Sequence, residues 1–152
     1  MTRFALTEHP DGLSAGPGNH VLYELESNTA RAGEGDTATY SLLFSLGSSP
    51  VGKLLFETEV NLDPDIQWLM RCDRIDFPSQ GIAYLHTHPG PGIRCQLFGQ
   101  LTVTAGGHTG TYQRLEPWFE SGPEPVYAEA GVDAAAFVRV LLLPAEWAGK
   151  RT

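Results

Sequence analysis

The sequence predicts an all-β fold, a sandwich or barrel of many short strands. Two observations carry this expectation. Short apolar or alternating runs recur along the chain, separated by turn-forming stretches such as "SSPVG", "LDPD", "PGPG" and "SGPEP". Glycine and proline number 17 and 11, charged residues are only 18%, and no sustained helical period appears.

Taken in order, residues 1–18 are Gly/Pro-rich and read as a loose arm. Residues 19–26 read as a short strand and 27–37 as a loop. Strands are then expected over 38–46, 52–61, 66–77, 82–88, 93–105, 108–115, 117–121, 126–130 and 135–144, with one helical turn in 145–152. This divides the chain into an N-terminal arm and short strand, 1–36, and a single barrel-like domain, 37–152.

At 152 residues the chain is long enough to bury a substantial core. Its net charge of −8, with only ten Lys plus Arg, leaves no basic footprint for nucleic acid or an anionic membrane. No run is long enough to cross a bilayer, and the N-terminal residues lack the apolar core of a secretory signal. The two cysteines, Cys72 and Cys95, do not suggest a disulfide framework, so a cytoplasmic location with free thiols is expected.

The chemistry-bearing stretch is "YLHTHPGPGIRCQLFG", Tyr84 to Gly99. On a strand, residues two apart share a face, which would align Tyr84, His86 and His88. Two neighbouring imidazoles suit zinc, iron, copper or nickel. They equally suit a pair of hydrogen-bonded interior histidines.

The pattern Gly81, His86, His88, Gly99 resembles the first conserved motif of the cupin superfamily, and "WFESGPEPVYAE", with Gly122, resembles the second. The resemblance covers about residues 66–144. It implies an antiparallel jelly-roll (cupin) barrel with an N-terminal arm, often homodimeric, with a metal or ligand site inside. It also implies chemistry ranging from dioxygenase to isomerase and lyase, alongside non-enzymatic binders.

The usual cupin ligands are the two histidines, a glutamate and a second-motif histidine. Here the glutamate position is Gly92, and the second-motif position is Pro125, or Val126 if the register slips by one. None of these has a ligating side chain. Glu120 is the candidate third ligand, with Gln96 or Glu129 as alternatives, for iron, zinc, manganese or nickel.

In the same register Arg94 and Gln96 face inward with Gly92, while Ile93, Cys95 and Leu97 face outward. Arg94 could grip a substrate carboxylate or pair with an internal glutamate. Arg94, Gln96 and Tyr127 are candidate substrate-binding residues, and Tyr84 with Arg94 the candidate catalytic pair. An apolar outer face calls for a covering layer, either the N-terminal segment or a partner chain in a homodimer.

Two readings follow. One is a cupin-like enzyme of small-molecule metabolism with a divalent metal on His86 and His88. The other is a metal-free cupin that binds a small ligand as a sensor, carrier or accessory protein.

Overall fold

The computed structural model describes residues 1–152. The chain forms two compact units, Met1–Asp65 and Ile66–Thr152.

In the first unit the strands are β1 (Thr2–His9), β2 (Ser14–Ala15), β3 (His20–Glu24), β4 (Thr29–Ala32), β5 (Gly35–Asp36), β6 (Ser41–Leu46) and β7 (Lys53–Val60). A five-stranded sheet runs in the order β4-β3-β6-β1-β7, and β2 pairs with β5. The expected loose arm over 1–18 is therefore not what forms. β1 lies between β6 and β7, and Phe4, Ala5 and Leu6 are fully buried. The reason is local. The glycines and prolines of the arm all fall at positions 10–18, which leaves "TRFALTEH" free of both. The expected loop over 27–37 also contains β4 and β5.

In the second unit the strands are β8 (Trp68–Phe77), β9 (Ile82–His86), β10 (Gly92–Phe98), β11 (Leu101–Ala105), β12 (His108–Tyr112), β13 (Pro117–Glu120), β14 (Val126–Ala130) and β15 (Ala135–Pro144). A single 3-10 turn follows at Ala145–Trp147. Two antiparallel sheets form, ordered β13-β10-β15-β8 and β12-β11-β14-β9. The chain passes repeatedly from one sheet to the other, which is the wiring of a jelly roll. Neither sheet closes on itself, so the expected barrel is two open four-stranded sheets.

The run 93–105, read as one strand, breaks into β10 and β11 at Gly99. Gly99 has φ +69°, and a Cβ there would lie 2.3 Å from the Ala134 carbonyl oxygen. Only glycine fits that turn.

The unit's core comes from both sheets. Phe77, Trp118 and Phe137 meet Leu101, Val103, Val126 and Ala128. Trp118 stacks on Tyr112 at 4.6 Å between ring centroids and meets Phe137 edge-on at 5.2 Å. Ile93, Cys95 and Leu97 are buried within the single chain, at 0%, 0% and 4% exposure.

Candidate functional site

A cavity of about 190 Å³ lies between the two sheets of the second unit. One part of its wall is apolar, including Phe77, Leu101, Val103, Trp118 and Phe137. The other part is polar: His86, His88, Arg94, Glu120, Arg139 and Thr152.

Strand register builds the polar part. Across the first sheet Trp118, Arg94, Arg139 and Asp73 stand in one row, and Glu120 stands directly opposite Gly92 in the next. Arg94 is 1% exposed, and its Nη2 lies 2.9 Å from Glu120 Oε1. Its Nη1 donates to the Gly92 carbonyl at 2.9 Å. Glu120 Oε2 accepts from Trp118 Nε1 at 2.8 Å. Arg139 donates to Asp73 Oδ2 through Nε at 3.3 Å and Nη2 at 3.2 Å, and Arg71 shares that oxygen.

His88 is placed by its backbone, whose N–H donates to the Gly122 carbonyl at 2.8 Å. His86 Nδ1 donates to the Tyr84 carbonyl at 2.6 Å. The two Nε2 atoms face each other at 3.1 Å, where one donates and the other accepts. Burial, helped by the charges of Arg94 and Arg139, pushes the His88 imidazole down to about 3, so it is neutral at physiological pH. Its 3.7 Å approach to Glu120 Oε1 is then a contact of a neutral ring with a carboxylate. Burial lowers Arg94 to about 10 against the opposing pull of Glu120, and the guanidinium stays charged.

Several sequence-derived candidates lie elsewhere. Tyr84 is 75% exposed and outside the cavity. β9 pairs His86 with Val126 and Ala83 with Ala128, so β9 carries one extra residue between them. This bulge defeats the two-residue alternation and turns Tyr84 and Leu85 outward. Gln96 is fully buried but outside the cavity wall. Its Nε2 turns back to the Phe98 carbonyl at 2.8 Å, beside a register shift in β10. Tyr127 and Glu129 alternate with Val126 and Ala128, which line the cavity, and so take the opposite face. Pro125 is exposed, and Val126 is the cavity residue at the second-motif position.

The cavity wall also contains Arg139, which the sequence patterns did not single out, and outside the wall Asp73 accepts from both Arg139 and Arg71. The available signal was a lone arginine inside the apolar run "AAFVRVLLLP", which is buried on both faces from Ala135 to Leu143. A buried arginine needs a partner, and "RCDR" on β8 supplies one.

Whether these residues fit a metal can be judged from the donors. Two imidazole nitrogens 3.1 Å apart can both reach one ion at Zn–N lengths of about 2.0–2.1 Å. The third ligand is what fails. Glu120 has one oxygen against the Arg94 guanidinium and the other on the Trp118 N–H. A Cβ at Gly92 would sit 2.8 Å from Arg94 Nη1 and 2.6 Å from Leu141 Cδ2, so the guanidinium crowds the glutamate position. No three His, Cys, Asp or Glu side chains converge as a metal-binding set. The expected set of His86, His88 and Glu120, with Gln96 or Glu129 as substitutes, does not form.

No family model and no curated relative matches the chain. Among solved structures it is similar to an RmlC-like cupin from Shewanella frigidimarina, with TM-score 0.46 and 14% identity over 51% of this chain and 68% of the other. It is also similar to a cupin protein from Bacteroides fragilis, with TM-score 0.43 and 16% identity over 62% and 90%. A cupin 2 conserved barrel domain protein from Leptotrichia buccalis aligns with TM-score 0.46 and 12% identity over 93% and 73%. The alternation of the chain between two antiparallel sheets is jelly-roll wiring. At these identities and TM-scores the likeness carries nothing about activity. No helix is long and apolar enough to cross a membrane.

Proposed function

We propose that the cupin-like unit, residues 66–152, is a small-molecule binding module that holds its ligand without a resident metal, as a sensor, carrier or accessory protein. The observation that carries this reading is the fate of Glu120. The one carboxylate near the histidine pair is held by Arg94 and Trp118, while beside it lies a cavity with apolar walls and a few convergent polar groups. Such a cavity binds by burying an apolar body and orienting it with polar contacts.

The test is ligand-observed NMR on the full chain, with chelator present, against a library of small aromatic and aliphatic compounds. Binders should appear, and Ala128→Phe, which projects a ring into the cavity, should abolish them. No binders, or binders indifferent to Ala128→Phe in a folded variant, would overturn the proposal.

A further inference from the structure

The polar part of the cavity carries an unbalanced charge. Two guanidinium groups, Arg94 and Arg139, and one carboxylate, Glu120, line it, while outside the lining Asp73 pairs with both Arg139 and Arg71. Both carboxylates are already engaged. Asp73 Oδ2 takes Arg71 and Arg139 together, and Glu120 takes Arg94 and the Trp118 N–H. His88 adds no positive charge, because burial keeps it neutral. One cationic charge is left over, in a chain whose net charge is −8.

The hydrogen-bond inventory points the same way. Arg94 is fully buried, lines the cavity, and has its Nε without a partner. Its Nη2, although 2.9 Å from Glu120 Oε1, makes no aligned hydrogen bond. Leaving a buried donor unmade is costly, so an acceptor belongs beside it. Arg94 and Arg139 are also direct cross-strand partners, both facing the cavity. Like charges opposite each other repel, and an anion beside both relieves that repulsion.

We infer that the ligand is a small organic monocarboxylate, its carboxylate against Arg94 and Arg139 and its apolar body among Phe77, Leu101, Val103, Trp118 and Phe137. One surplus charge matches a monoanion better than a phosphate ester, which carries about −1.5 to −2. A cavity of about 190 Å³ is below the roughly 300 Å³ at which drug-sized pockets begin, which limits the body to about one ring or a short chain. This inference rests on the metal-free binding reading above and names the ligand class for the same cavity.

The test is calorimetry on the full chain with matched probes: benzoate, cyclohexanecarboxylate and hexanoate, each against its primary amide, together with benzylamine and phenyl phosphate. A carboxylate should bind at least about tenfold more tightly than its amide, the size of a charge-assisted hydrogen bond, and benzylamine should not bind. Glu120→Gln, which frees Arg94 of its competitor, should tighten carboxylate binding several-fold. Equal binding of acid and amide, or tighter binding of phenyl phosphate, overturns the carboxylate assignment and leaves the binding module standing. Weaker carboxylate binding by folded Glu120→Gln also overturns it. No binding by any probe overturns the carboxylate assignment, and an empty library screen as well removes the module itself. The wild-type comparison of acid with amide decides the matter even if Glu120→Gln fails to fold.

Discussion

Arg94 Nη2 lies 2.9 Å from Glu120 Oε1, with both side chains buried inside the second unit. The pair decides what the cavity can do. It occupies the one nearby carboxylate and crowds Gly92, where a Cβ would lie 2.8 Å from Arg94 Nη1.

Breaking that pair on one side leaves a buried charge without a partner. Arg94→Leu should destabilise the unit by about 3–5 kcal/mol, and Arg94→Leu with Glu120→Leu should recover most of the loss. Urea unfolding followed by tryptophan fluorescence reads this unit, since Trp68, Trp118 and Trp147 all belong to it. A double variant as unstable as the single would show that the pair is not what is being broken.

The neutral imidazole of His88 makes stability depend on pH in a definite direction. The ordinary value, 6.5, applies to the unfolded chain, and burial takes the folded value to about 3. Between these the unfolded state binds the extra proton, so stability falls as pH drops below about 6.5. Between pH 6.5 and 5 the wild type should lose stability faster than His88→Gln, by up to about 1.4 kcal/mol per pH unit. Parallel slopes for the two proteins would remove this account of His88.

Gly92 is a packing requirement as well as a missing ligand. A Cβ there would lie 2.9 Å from the Val140 carbonyl oxygen, which is backbone and cannot swing aside. Gly92→Ala should cost about 1–3 kcal/mol as overpacking. Gly92→Glu should fail to create a metal site. Near-wild-type melting of Gly92→Ala would mean that the strand has room after all.

In the first unit, Glu24 ties down the segment leading into β6. Its Oε2 accepts from the backbone N–H of Ala38 and Thr39, both at 2.9 Å, and from the Thr39 hydroxyl, while Oε1 accepts from Ser27. These bonds, led by the one from Ser27, hold the carboxyl down to about 2. Their stabilisation is full above the ordinary value of 4.5 and disappears as pH falls towards about 2. Glu24→Gln should speed hydrogen exchange at Ala38 and Thr39 and leave distant amides unchanged. Unchanged exchange at those two amides would contradict it.

Much of the fold could be read from the sequence because turn chemistry and short apolar runs are explicit from residue 38 onward. Val126–Ala130 and Ala135–Pro144 fall where the pattern places them. β1 could not be read that way, because averaging composition over residues 1–18 spreads the glycines and prolines of its second half across a clean strand. The histidine pair announced where the cavity would be. The residues around it were harder, since a single bulge between Ala83 and His86 reverses the predicted face of Tyr84. Arg139 and Asp73 meet Arg94 only through strand register, which sequence spacing does not encode.

The most direct test of a cavity that works without a resident metal is elemental analysis of the full chain purified without chelator, on wild type, His86→Ala and His88→Ala. The account predicts iron, zinc, manganese and nickel well below one per chain in all three, with small-molecule binding unchanged by chelator. Close to one metal per chain in the wild type, lost in both histidine variants, would contradict it.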